Sequence, residues 1–286
     1  MLKPSGGAIV CGIIGNPVQH SLSPWMQQEF ARQTGVDFLY APFPVRAEEL
    51  SNAIRGLQAL GVRGINVTIP HKEAVLQLVD ELSPRASAIG AVNTLLFDDG
   101  RIFGENTDVT GFARALRRHA GAVNGPSLVI GAGGAARAVL HALASEDATP
   151  IYLANRTLAR AEALAADFPT LPIRPIVLSR SAITPLLGDL QLLVNTSSRG
   201  LQGENYPEIH LDALPQSSIV CDIVYKPLQT PLLAAAQASG LRCVDGLGML
   251  VEQGAESFRI WTGQLPDAGA VEELLRKWLP TPKLRH

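Results

Sequence analysis

Two α/β domains, a mixed α/β sandwich first and a doubly wound parallel sheet second with a cleft between them, are what this sequence predicts. Three observations predict it. The chain has 286 residues, more than the usual single domain. Short β-branched runs alternate with helix-period stretches almost from end to end, the pattern of βαβ units. A glycine-rich turn at 131–136 opens a second series of such units. With 47% apolar and 17% charged residues, the chain has enough apolar surface for a core in each domain and is too apolar to be disordered.

In the first part, strands are expected at Ala8–Ile14, Phe38–Phe43 and Gly64–Val67, and helices near Pro24–Thr34, Ala47–Leu60 and His71–Val79. Asn93–Phe97 and Arg101–Gly104 flank Asp98-Asp99-Gly100, a turn signal that makes them a hairpin and the sheet a mixed one. A helix-period stretch from Val109 to His119 then leads to Ser127–Ile130, and strands follow at Pro150–Ala154, Leu190–Asn195, Ser218–Val224 and Leu241–Val244. Gly246–Trp261 and Asp267–Trp278 read as helices without a further strand, returning to cover the first domain. The expected division is 1–107 with 246–286 for the first domain and 108–245 for the second.

A formal net charge of −2 with scattered Lys and Arg offers no basic stripe, so nucleic acid is not an expected partner. Cys11, Cys221 and Cys243 are odd in number and lack a CxxC pair, which speaks against a disulfide framework or structural zinc and suits a reducing cytosol. The dispersed histidines suggest no other metal site. No signal-peptide core stands in Met1–Gly7, and no apolar run reaches the roughly 18 residues of a membrane span. A cytoplasmic protein without a membrane partner is therefore expected; composition leaves the assembly state open, a homodimer included.

The strand Ser127–Ile130 runs into Gly131-Ala132-Gly133-Gly134-Ala135-Ala136 and an Ala-rich helix. Gly131 permits the tight turn, Gly133 lets backbone approach a pyrophosphate, and Ala136 lets the helix pack close to the strand. The helix N-terminus then offers free N–H groups to an anion. A bare glycine pattern also fits a tight turn without a ligand, but the strand–turn–helix context favours a Rossmann-type dinucleotide site. After strand Pro150–Ala154 come Asn155-Arg156-Thr157, where an NAD enzyme would place an acid. A carboxylate there repels a 2′-phosphate and an arginine attracts it, so NADP is the favoured cofactor. Arg160, a helical turn further on, adds a second positive charge or is simply solvated.

Polar clusters recur where open α/β sheets place ligands, at the ends of elements. They are Gly15-Asn16-Pro17-Val18-Gln19-His20-Ser21-Leu22-Ser23-Pro24, Asn66-Val67-Thr68-Ile69-Pro70-His71-Lys72, Gly90-Ala91-Val92-Asn93-Thr94 and Gly104-Glu105-Asn106-Thr107-Asp108. Alone, Ser21 and Ser23 read as helix caps and Lys72 or Asp108 as surface charges. Together with Asn195-Thr196-Ser197-Ser198-Arg199-Gly200, Asp222-Ile223-Val224-Tyr225-Lys226-Pro227 and the segment Asp245–Gln253, they resemble the shikimate dehydrogenase family in one order across nearly the whole chain.

That resemblance implies an NADP-dependent oxidoreductase that reversibly reduces 3-dehydroshikimate to shikimate. Its substrate ligands fall on Ser21, Ser23, Thr68, Lys72, Asn93, Asp108, Tyr225 and Gln253, mostly neutral groups that both donate and accept, as a polyhydroxylated acid requires. Its cofactor set falls on Gly131, Ala132, Gly133, Gly134, Ala135, Asn155, Arg156, Thr157, Arg160, Ile223 and Gly246. Lys72 and Asp108 carry the catalytic assignment, since hydride transfer at an alcohol carbon needs a proton moved at its oxygen: Lys72 transfers it and Asp108 orients both partners. His20 and His71 are given only supporting roles and Glu105 none, while Gln27-Gln28 stand where the family often has His-Asn. The competing readings are a quinate/shikimate dehydrogenase that uses NAD, a ligand-sensing module of a regulator, and a methylene-tetrahydrofolate dehydrogenase.

Overall fold

β-Branched and aromatic runs form the strands, and their pairing separates two sheets. The computed structural model describes residues 4–144 and 148–279; Met1–Lys3, the start of the N-terminal segment read above, lie outside them. Two compact units result, one holding the chain up to Gly111 together with Val251–Trp278 and the other built on Phe112–Leu250. The chain passes between units within helices α4 (Asp108–Ala120) and α9 (Gly246–Thr262).

In the first unit the chain runs β1 (Ile9–Gly15), α1 (Ser23–Thr34), β2 (Phe38–Pro44), α2 (Leu50–Ala59), β3 (Gly64–Val67), β4 (Glu81–Leu82), α3 (Pro84–Ile89), β5 (Thr94–Asp98) and β6 (Arg101–Glu105). The sheet order is β2-β1-β3-β5-β6-β4, parallel among the first three strands and antiparallel through β5 and β6. Asp99 and Gly100 turn the hairpin with φ of 48° and 74°, the doubly left-handed geometry that matches strand twist. β2 lies at the sheet edge, where Pro42 and Pro44 leave no ladder bond unmade that a neighbour would need. One face packs Ile14, Ile54, Ile65, Val67 and Leu95 into a core. Phe38 of β2 meets Phe258 of α9 at 5.1 Å between ring centroids, and the Trp261 indole N–H donates to the Leu95 carbonyl at 2.9 Å. Helix α9 thus covers one face of the first sheet.

The helix expected over His71–Val79 is instead a 3-10 turn at Ala74–Leu78. The Lys72 carbonyl, which an α-helix would offer to Leu76, accepts from Val92 N–H at 2.8 Å, and Leu76 N–H turns back to Glu73 at 3.2 Å. Tertiary pairing claims the acceptor, so the turn tightens.

The second unit runs β7 (Ser127–Ile130), α5 (Gly134–Ala144), β8 (Ile151–Asn155), α6 (Leu158–Ala166), β9 (Ile173–Val177), α7 (Arg180–Ile183), β10 (Leu192–Asn195), β11 (Ile219–Asp222), α8 (Pro231–Ala238) and β12 (Arg242–Val244). All strands are parallel, in the order β12-β11-β10-β7-β8-β9. Read from β9 and counted within the unit this is 3-2-1-4-5-6, the Rossmann order, with its switch point between β7 and β10. Helices on both faces leave β7, β10 and β11 buried throughout, which is why they read as unbroken apolar runs. Helix α10 (Ala268–Trp278) belongs to the first unit and packs on α1. Among the described residues no helix is long and apolar enough to cross a membrane.

Candidate active site and nucleotide turn

Lys72 leaves β3 on a loop held at three points. Asn16 N–H donates to the Ile69 carbonyl at 3.0 Å, Val92 N–H to the Lys72 carbonyl at 2.8 Å, and the buried His71 ring meets the Val45 carbonyl at 2.8 Å. A carbonyl only accepts, so His71 Nε2 carries the proton of that bond. Asp108 begins α4, where the helix N-terminus favours a negative charge. The approach is shaped by Asn106, whose Oδ1 accepts from Asp108 N–H at 3.1 Å, and by Glu105, which accepts from Ser83 Oγ at 2.8 Å and Asn106 N–H at 2.7 Å.

These constraints bring Lys72 Nζ to 2.6 Å from Asp108 Oδ2. The side chains are 17% and 6% exposed, so the ion pair is largely shielded from solvent. Asn93 Nδ2 takes the other carboxylate oxygen at 2.8 Å and lies 3.4 Å from Gln253 Oε1. The Asn93 amide is oriented by Thr107 N–H, a pure donor 2.7 Å from its Oδ1. Asp108 is therefore gripped from both sides, an arrangement suited to holding a proton between an amine and a hydroxyl.

Of the other expected substrate ligands, Ser21 Oγ accepts from Ser23 N–H at 3.1 Å and Ser23 is buried at the start of α1. Thr68 packs against Gly15 so closely that an added Cβ would run into its Cγ2. Tyr225 lies beyond β11 in the second unit, its hydroxyl pKa pushed up by burial. The sequence reading passed over Tyr40, Thr107 and Ser257, which support Asn93 from behind. Ser257 Oγ lies 2.8 Å from Thr94 Oγ1 and 2.9 Å from Asn66 Nδ2. A hydroxyl one helical turn after Gln253 was the available signal.

In the second unit, Gly131 follows β7 with φ of 108°, and a Cβ there would come 2.8 Å from Thr196 Oγ1 and 3.2 Å from the Ser197 nitrogen. Only glycine fits both the dihedral and the approach of the β10 loop. Gly133 faces open space, so bare backbone and the α5 N-terminus, which begins at Gly134 between Ala132 and Ala135, stand ready for an anion. Asn155 Nδ2 donates to the Thr157 carbonyl at 2.9 Å, shaping the turn from which Arg156 and Arg160 reach solvent. Gly246 packs on Ile223, whose carbonyl would collide with any added Cβ. This site fits a dinucleotide with an extra phosphate. Among the described residues no cluster of His, Cys, Asp and Glu is arranged to hold a metal.

The loops after β10 and β11 are joined by Asn195, whose Nδ2 donates to Asp222 Oδ1 at 2.8 Å. Burial pushes the Asp222 carboxyl from its ordinary 3.8 up to about 6, against the donors Thr230, Val224 N–H and Asn195. The folded state thus holds this proton more tightly than the unfolded state. The stability it contributes is present below about pH 4 and is lost as pH rises through about 6. Asp222→Asn is expected to flatten the dependence of the urea midpoint on pH across that window; an unchanged slope would place the titration elsewhere.

Three stretches of the chain match profiles of one family. Residues 13–95 match the shikimate dehydrogenase substrate binding domain, 116–194 the shikimate / quinate 5-dehydrogenase domain, and 246–276 the shikimate 5'-dehydrogenase C-terminal domain. A curated shikimate dehydrogenase (NADP(+)) of Paramagnetospirillum magneticum is 47% identical over 266 residues, covering 92% of this chain and 95% of that protein. One from Geobacter sulfurreducens is 43% identical over 282 residues, covering 95% and 97%. The solved shikimate 5-dehydrogenase of Thermus thermophilus, in complex with NADP(H) and shikimate, is 40% identical with a TM-score of 0.83, covering 94% of this chain and 99% of that one.

Proposed function

The chain belongs to the shikimate dehydrogenase family, and from that premise we propose that it interconverts 3-dehydroshikimate and shikimate with NADP as redox partner. The observation that carries the reading at the level of residues is the Lys72–Asp108 contact of 2.6 Å with Asn93 on the second carboxylate oxygen. Bound NADP supplies the hydride chemistry; the chain's own task is the proton. In the reducing direction Lys72 donates to the carbonyl oxygen as it becomes a hydroxyl, and in the oxidising direction it takes that proton back. Asp108 fixes the amine and the hydroxyl relative to each other. Ser21, Ser23, Thr68, Asn93, Tyr225 and Gln253 bind the substrate, their hydroxyls and amides matching a ligand rich in both donors and acceptors.

Gly131, Ala132, Gly133, Gly134 and Ala135 take the pyrophosphate, Asn155, Arg156, Thr157 and Arg160 the adenosine 2′-phosphate, and Ile223 and Gly246 complete the cofactor set. Arg156→Ala is expected to raise KM for NADP roughly 10- to 100-fold, the size of one charge-assisted hydrogen bond, and to leave NAD-linked turnover unchanged. Equal loss with both cofactors would remove Arg156 from phosphate recognition. The unpaired state of Cys11, Cys221 and Cys243 supports a place in the reducing cytosol.

The decisive assay follows NADPH absorbance with shikimate as substrate. Shikimate with NADP is expected to give the highest kcat/KM among the four pairings of shikimate or quinate with NADP or NAD. A maximum for quinate with NAD would overturn the assignment.

A further inference from the structure

Tyr40 stands in the middle of β2, only 5% exposed. Its ring packs 6.1 Å from Trp261 and 6.3 Å from Phe38 between centroids, which accounts for the ring and not for the hydroxyl. That hydroxyl lies 2.7 Å from Asn66 Oδ1. The donor in that bond is fixed by the surroundings. Asn66 Nδ2 faces the Asn93 carbonyl oxygen at 3.2 Å, Ser257 Oγ at 2.9 Å and Thr94 Oγ1 at 3.1 Å. A backbone carbonyl only accepts, so the nitrogen end of this amide faces it and the oxygen end faces Tyr40. Tyr40 must then give its one proton to Asn66.

A directed chain of hydrogen bonds follows, from Tyr40 to Asn66 and from Asn66 to Ser257 and Thr94. Thr94 Oγ1 in turn donates to Asn93 Oδ1 at 3.0 Å. Every member is buried, and bonds in such a series polarise and orient one another. We propose that Tyr40 is a positioning residue of the substrate site, holding Asn66 in one orientation and, through Asn66 and Thr94, the Asn93 carboxamide that grips Asp108. This rests on the shikimate dehydrogenase reading and adds to it a residue that touches no substrate itself.

Tyr40→Phe removes the hydroxyl and keeps the ring packing, so it isolates the effect. It is expected to raise KM for shikimate roughly tenfold, since buried partners lose their bonds, with a smaller change in kcat and none in KM for NADP. A purely structural role would lower the active fraction and leave both KM values alone. Because Tyr40 acts through Asn66, the Tyr40→Phe/Asn66→Ser double variant should be no worse in kcat/KM than the more damaging single variant, within about twofold. Losses that multiply, or an unchanged KM in Tyr40→Phe, would overturn the proposal. Should Tyr40→Phe fail to fold, 3-fluorotyrosine at position 40 decides it, since it keeps the ring and makes the hydroxyl a stronger donor to Asn66: a changed KM for shikimate with an unaltered KM for NADP is expected, and an unchanged KM for shikimate refutes it. Absence of NADPH-linked shikimate turnover in the unaltered protein would instead sink the parent reading.

Discussion

Lys72→Ala is expected to lower turnover with shikimate by roughly 10²–10⁴-fold, the usual size of a general acid–base contribution. NADP affinity, read by titration of the bound cofactor, should stay near that of the unaltered protein, because the glycine turn and Arg156 lie in the other unit. The variant also strips the counter-charge from Asp108, whose side chain is 6% exposed and keeps Asn93 as a partner. A moderate loss of stability is therefore expected beside the kinetic loss, since a buried charge without its partner is unfavourable. Rates corrected for the folded fraction separate the two. Near-normal corrected turnover would remove Lys72 from the proton path.

What the sequence made legible was local. The turn at Gly131 declares itself because a strand, a left-handed dihedral and a helix start must share a few residues, and only small ones fit. The hairpin at Asp99-Gly100 is legible for the same reason. Less visible were elements whose character depends on their place in a sheet. β9 contains Pro175, which argues against a central strand, and it pairs only because it lies at the edge. β4 and α3 are too short for any period to emerge. The helix expected at His71–Val79 failed because Val92, distant in sequence, claimed the Lys72 carbonyl. The supports behind the site, Tyr40 with Asn66 and Ser257 with Thr94, join residues whose proximity no spacing rule reveals.

Phe258→Ala is expected to destabilise the protein by about 3–5 kcal/mol, the range for removing a fully buried aromatic side chain. Phe258 is wholly buried and meets Phe38 at 5.1 Å and Phe30 at 5.9 Å between ring centroids, joining α9 to both β2 and α1. Alanine leaves a cavity that these rigid neighbours close only in part, and it forfeits two aromatic contacts as well. The midpoint of urea unfolding should fall with little change in its slope. A loss below about 1 kcal/mol would mean that the site collapses freely, contrary to the packing described. Ser257 and Gln253 share this helix, so the surviving folded variant should also show a raised KM for shikimate.

Helices that close the first unit are translated after the sheet of the second. Residues 112–250 are translated between the first sheet and its cover, so the nascent chain carries Phe30 and Phe38 without Phe258 for on the order of ten seconds. All six strands of the inserted unit lie within that stretch, so it can reach its native state while the earlier one waits. A stalled chain ending before Val251 should therefore bind a hydrophobic dye and engage chaperones through that uncovered aromatic face, while its nucleotide-binding portion already resists protease.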